Sequence, residues 1–256
     1  MKLKLFFSLA VFLIAVSINI PAQVNTEKFR QDADTTGFTG MVDFEGTAIT
    51  GNTDFQLIGV GGRLNYNFGD DYTFLVGDAG FGWEGRESFS NQALAHLRHV
   101  VTTGKLLQLE FFSQFDYNKD RLLLERELLG TGIRLRLISS DSFKFRYGIA
   151  YMFENEVYDL PAISLHGKNS SSHRISSYFT FSFMLQENLN FVSVTYFQPD
   201  IKEINDYKLI SENALVVILG KLVDLNIKFN LRHDSRPPDT IKETDTISKV
   251  GLSFKF

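Results

Sequence analysis

From residue 38 onward the chain alternates apolar and polar residues in long runs. The clearest is Leu222 to Arg232, where Val223, Leu225, Ile227, Phe229 and Leu231 interleave with Asp224, Asn226, Lys228, Asn230 and Arg232. A period of two puts the first set on one face of a strand and the second on the other. Phe143 to Glu154 behaves alike, with Phe143, Phe145, Tyr147, Ile149, Tyr151 and Phe153 against Lys144, Arg146, Gly148, Ala150, Met152 and Glu154. So does Leu107 to Asn118. Extending the pattern predicts about twelve strands, at 38–50, 53–68, 72–84, 89–102, 105–118, 121–138, 142–155, 173–186, 189–199, 206–219, 222–233 and 245–256. Several exceed the five or six residues of a globular strand and suit the 9–11 residues, or more, of a membrane-crossing one.

The connections alternate in length. If both ends of the mature chain face the periplasm, the inner turns are short: Gly69–Asp71, Thr103–Gly104, Ser139–Asp141, Glu187–Asn188 and Gly220–Lys221. The longest, Glu156 to Ser172, Asp200 to Asn205 and Asp234 to Thr244, fall on the outer side, as expected of outer-membrane barrels. Two outer turns, at Gly51-Asn52 and Lys119-Asp120, are also tight.

Residues 1–22 do not share the alternation. Lys2 and Lys4 precede an apolar run from Leu5 to Ile20, and Pro21-Ala22 offers a cleavage site, the pattern of a secretory signal peptide. The expected organisation is a leader at 1–22, a short periplasmic segment at 23–37 and a barrel at 38–256. Without the leader, 24 basic and 30 acidic residues remain. That mild acidity gives no support to nucleic-acid binding. The absence of cysteine excludes disulfides, cysteine metal sites and a lipid-anchored N-terminal cysteine. The 25 phenylalanines and nine tyrosines never build an apolar block long enough for a membrane helix after the leader, so they are interleaved with polar residues.

Alternation alone also fits a soluble barrel or sandwich with an apolar interior. Two features favour the inverted arrangement. Arg126, Leu128, Gly130, Gly132, Arg134 and Arg136 share one face of the sixth strand, flanked by Lys144 and Arg146 of the seventh and by Glu110 and Asp116, with Gln108 and Gln114, of the fifth. They predict one band of paired charges lining a lumen, with the two glycines leaving room for the arginines. The opposite face carries aromatics near strand ends, expected at Phe115 and Tyr117, Phe143 and Tyr151, Tyr66 and Phe68, and Tyr72 and Phe74, as in aromatic girdles. Leu252, Phe254 and Phe256 share one face of the last strand, which ends in an aromatic residue. Such an ending resembles the signal by which outer-membrane barrels are passed to their assembly machinery. The expected fold is all-β: a transmembrane antiparallel up-and-down β-barrel.

Three segments carry a family resemblance: Thr50-Gly51-Asn52-Thr53-Asp54, the sixth-strand run Arg126 to Arg134, and Asp234-Ser235-Arg236-Pro237-Pro238 followed by Lys242, Thr244-Asp245-Thr246 and the terminal strand. Together they resemble the YdiY-like salt-induced outer-membrane proteins, a family of unknown function. His233 departs from the aromatic tyrosine expected before Asp-Ser. The resemblance implies a fold and a location but no activity. Each segment also has a purely structural account: Gly51-Asn52 suits a two-residue hairpin, the strand glycines relieve crowding, and Pro237-Pro238 stiffens an outer loop.

His233-Asp234-Ser235 has the His-x-Ser spacing of barrel lipid hydrolases, but Pro237-Pro238 follows at once and the residues typical of those enzymes are missing. His96 and His99 fall on opposite faces of a strand, while His166 and His173 lie in or beside the longest outer loop. No metal, nucleotide or other cofactor motif is present in the sequence. The expectation is a non-enzymatic, monomeric barrel among outer-membrane lipids, its narrow lumen filled by Glu110, Asp116, Arg126, Arg134, Arg136, Lys144 and Arg146. The alternatives are a small passive, anion-favouring channel and a lipid hydrolase.

Overall fold

The computed structural model describes residues 36–49, 55–85 and 87–256. The expected leader, nearly all of the segment 23–37, and the Thr50–Asp54 motif with its hairpin turn lie outside the described residues. Twelve strands follow in order: β1 (Gly37–Ile49), β2 (Phe55–Asn67), β3 (Tyr72–Glu84), β4 (Glu87–Thr102), β5 (Leu107–Asn118), β6 (Leu123–Ser139), β7 (Phe143–Tyr158), β8 (Asn169–Gln186), β9 (Leu189–Pro199), β10 (Tyr207–Ile218), β11 (Val223–Asp234) and β12 (Thr244–Lys255). Each pairs antiparallel with its sequence neighbours, and β12 returns to β1 to close the barrel. The seam runs from Met41 opposite Lys255 to Glu45 opposite Gly251. Phe256 extends it: Gly40 N–H donates to the Phe256 carbonyl at 2.9 Å, and Phe256 N–H donates to the Gly40 carbonyl at 3.1 Å. The Phe256 ring packs over Gly40, where a Cβ would meet it and the exposed ring would have to shift.

The end holding both ends of the barrel has short turns, at 68–71, 103–106, 140–142, 187–188 and 219–222. The opposite end carries the three long loops, 159–168, 200–206 and 235–243. The tight Lys119-Asp120 turn is a single 3-10 turn over Lys119–Arg121, capped by the Asn118 side chain and released through Leu122 at φ 55°. It delays β6 by two residues relative to the predicted start at 121.

The faces are polar inside and apolar outside. Phe44, Ile58, Leu75, Leu97, Phe111, Leu129, Ile133, Tyr151, Phe179, Ile227 and Phe254 point outward and are 41–66% exposed. Inward Arg126, Glu154 and Lys208 are at most 2% exposed. An apolar belt around a charged interior is the inverse of a soluble barrel and matches hydrocarbon rather than water as its solvent.

Tyr72 and Phe74 correct the expected girdle: they face the lumen, at 8% and 0% exposure. Cross-strand partners share a face, and the β2–β3 register sets Tyr72 opposite inward Asn67 and Phe74 opposite Asn65. β3 opens with Tyr72, Thr73, Phe74, Leu75 and Val76, apolar on both faces, so its period shows a strand without showing which way it points. Phe115, Tyr151, Tyr66 and Phe68 do lie on the outer face. The room beside Gly130 is taken by the Phe112 ring rather than by an arginine.

Candidate functional site: the lumen network and its vestibule

Glu154 of β7 is the centre of the lumen. Its Oε1 accepts from Arg126 Nε at 2.5 Å and Lys208 Nζ at 2.6 Å, and its Oε2 from Arg174 Nε at 2.6 Å and Ser172 Oγ at 3.2 Å. Four donors fill the acceptor capacity of one carboxylate. Arg126 also reaches Asp116 at 3.3 Å and Glu156 at 3.4 Å, Lys208 reaches Glu156 at 2.7 Å, and Arg174 reaches Asp206 at 2.9 Å. Side chains from β5, β6, β7, β8 and β10 therefore meet across the interior. All of them but Asp206, whose side chain is 24% exposed, are buried or nearly so. Below lies a cavity of about 40 Å³ bordered by His96, Phe112, Arg126, Tyr178 and Glu212; above lies a vestibule of about 280 Å³ at the long-loop mouth.

A second cluster sits by the seam. Lys228 of β11 bridges Glu45 at 2.5 Å and Asp43 at 3.3 Å, and Lys249 of β12 pairs with Glu45 at 2.9 Å. Lys255 holds Asp224 at 2.9 Å.

The seven lumen residues nominated from sequence do not form one band. Asp116 and Arg126 are register partners within the Glu154 network. Glu110 instead joins Arg98 at 3.3 Å and accepts from the Tyr178 hydroxyl at 2.5 Å, nearer the short turns. Arg134 donates toward the Tyr72 hydroxyl at 3.4 Å and Gln108 Oε1 at 3.5 Å. Arg136 bonds the Gly104 carbonyl at the short-turn mouth, directly opposite buried Arg146, with Lys144 half-buried beside them. The charges separate by level: the Glu154 network lies toward the loops, and Arg134, Arg136, Lys144 and Arg146 lie with the Arg98–Glu110 pair toward the short turns. Sequence reading missed Glu154, Arg174 and Lys208. Glu154 lay on the inward face of β7, but Arg174 stood at the edge of a strand predicted from 173, whereas β8 begins at Asn169.

The Asp234–Pro238 motif shapes the vestibule rim. Asp234 Oδ1 accepts from Arg236 N–H at 3.1 Å. Ser235 Oγ accepts from Tyr207 N–H at 2.8 Å and donates to the Asn205 carbonyl at 2.9 Å. Arg236 clasps Glu203 with both terminal nitrogens, one of them at 2.7 Å. Loop 235–243 is thus tied to loop 200–206. It is also tied to loop 159–168, since Asp239 accepts from the Ser164 hydroxyl, from Leu165 N–H at 2.5 Å and from His166 N–H at 3.3 Å. His233 Nδ1 lies 2.9 Å from Thr244 Oγ1, so His233 and Ser235 are each engaged elsewhere. His96 and His99 do face opposite ways, the first bonding Gln114 in the lumen and the second Thr73 outside. Among the described residues no acidic or histidine cluster fits a metal ion.

The hydrogen bonds from Ser164 and then Leu165 hold the Asp239 carboxyl below its ordinary value of 3.8. A carboxyl depressed in the folded state contributes its stabilisation fully above pH 3.8 and loses it as pH falls through the lower folded value. The clasp is therefore expected to hold throughout neutral and mildly acidic conditions. Asp239→Ala should accelerate amide exchange at Leu165 and His166 at neutral pH while leaving global unfolding essentially unchanged. Unchanged exchange would show that the clasp does not order the loop.

Comparison with known proteins adds the following. A family model described as "Protein of unknown function, DUF481" matches residues 42–256. No curated protein matches the chain. Among solved structures, the NanC porin aligns with TM-score 0.53 at 8% identity, over 85% of this chain and 100% of its own. The KdgM porin aligns with TM-score 0.46 at 9% identity, over 85% of this chain and 99% of its own. At such identity the first likeness concerns the fold alone, and the second carries no weight.

Proposed function

We propose a role from one premise: the chain belongs to the DUF481 family, whose function is unknown. It is a non-enzymatic outer-membrane barrel of structural or adaptive role, its lumen kept shut by ion-paired side chains. The carrying observation is the Glu154 network: Asp116, Arg126, Glu154, Glu156, Arg174 and Lys208 are buried where the two voids approach one another. Burying several charges is costly unless each is compensated, and here each has at least one partner of opposite sign. The reading includes the YdiY-like, salt-induced identity and export into the outer membrane of a Gram-negative cell. It also has the short turns facing the periplasm, and Leu252, Phe254 and Phe256 read by the barrel-assembly machinery. Liposomes containing the folded protein should swell in isotonic arabinose no faster than empty ones. Rapid swelling would overturn the closed lumen.

A second reading, a small anion-favouring channel, draws on Arg134, Arg136, Lys144 and Arg146 toward the short turns. It requires the Glu154 network to part, and it predicts chloride flux exceeding potassium flux.

A further inference from the structure

We propose that the vestibule at the long-loop end is a binding site for a small, uncharged, polyhydroxylated solute of about monosaccharide size. The vestibule shares Glu156, Arg174, Asp206 and Lys208 with the Glu154 network, so the proposal rests on that network staying in place. The swelling assay reads closure and the titration below reads binding, so the two can fail separately.

Four observations point there. The first is size: about 280 Å³ is just below the range of small-molecule pockets and far larger than a water site. The second is rigidity. Asp239, Arg236 and Ser235 fasten the three long loops to one another, so the walls are braced by the chain's own hydrogen bonds. A preformed pocket loses little conformational freedom on binding.

The third is charge. Arg174, Lys208 and Arg236 line the vestibule, and so do Glu156, Asp206 and Asp234, a formal balance of zero. The cations are already held by carboxylates: Arg174 by Asp206 at 2.9 Å, Lys208 by Glu156 at 2.7 Å, and Arg236 by Glu203. An entering ion would give up hydration without a net Coulomb attraction in return. An uncharged solute escapes that cost. Its hydroxyls can still hydrogen-bond to ionised groups, which form stronger hydrogen bonds than neutral ones. The fourth is the lip. Leu165 borders the cavity and is 97% exposed, giving an apolar surface for the C–H face of a sugar ring.

The test is isothermal titration of the folded, detergent-solubilised mature chain with D-glucose, N-acetyl-D-glucosamine and maltose. Sodium phosphate, sodium glutamate and choline chloride serve as ionic comparators at matched ionic strength. At least one sugar should give saturable heat in the millimolar range, and the ionic solutes none. Ser170→Trp fills the vestibule and should weaken sugar binding at least tenfold, while Ser170→Ala stays within threefold of the parent. Heat-modifiable electrophoretic migration verifies that each variant is folded. Should the tryptophan variant not fold, Arg236→Ala, which unties an exposed rim contact, should weaken the sugar at least threefold. The proposal is overturned if the folded barrel gives no saturable heat with any of the three sugars, or if the ionic solutes bind as well as they do. It is equally overturned if the folded vestibule variant binds unchanged.

Discussion

Glu154→Ala should be the most damaging single change in the lumen, lowering stability by about 3 kcal/mol, the lower end of the range for breaking a buried ion pair from one side. The lower end applies because each orphaned cation keeps a second carboxylate: Arg126 keeps Asp116, Arg174 keeps Asp206 and Lys208 keeps Glu156. The contrast is Arg236→Ala at the rim. Its pair with Glu203 is about half exposed on both sides and solvent-screened, so removing it should leave stability nearly unchanged. Urea titration in lipid vesicles, followed by the fluorescence of the single tryptophan, Trp83, measures both variants. Equal costs would mean that the buried network contributes no more than a surface ion pair.

The second large effect concerns the outer wall. Ile133 points outward near the middle of β6, 41% exposed, while Arg134 beside it is 1% exposed and inward. Ile133→Arg should destabilise the folded barrel in a bilayer by about 2–4 kcal/mol, the cost of an arginine on the lipid face near the midplane. Arg134→Ile tests the other face, where the loss is of hydrogen bonds to Tyr72 and Gln108 rather than of lipid contact. If Ile133→Arg were neutral in vesicles, the outward face would not be buried in hydrocarbon.

Much of this architecture was legible in the sequence because barrel physics repeats at every second residue. β11 shows it plainly: Leu225, Ile227 and Phe229 against Asn226, Lys228 and Asn230 leave one assignment of faces. β3 does not, since Tyr72 and Phe74 are as apolar as Leu75, and only the turn register orients them. β10 hides Lys208 for a related reason: its inward face mixes Lys208, Ile210, Glu212 and Ala214, and its outward face includes Ser211 and Asn213. Charge partners were harder still. Asp116 and Arg126 are neighbours in a hairpin and could be guessed from spacing. Glu154 meets Lys208 across 54 residues, and Glu45 meets Lys228 across 183, contacts that exist only once the wall has curved and closed. The Asp234–Pro238 motif was visible as a stiff loop, but its tie to loop 200–206 depends on Glu203 and Asn205, and the tie of the next residue, Asp239, to loop 159–168 depends on Ser164; no local pattern links these residues.

The proposed closure of the lumen by the network around Glu154 can be read electrically. Planar-bilayer recording of the purified barrel in 1 M KCl, about the salt at which exposed ion pairs are largely screened while buried ones are not, tests it most directly. The parent should show no stable conductance steps, whereas the triple variant Arg126→Ala, Glu154→Ala, Lys208→Ala should show them. Stable, long-lived open steps from the parent protein would contradict the account.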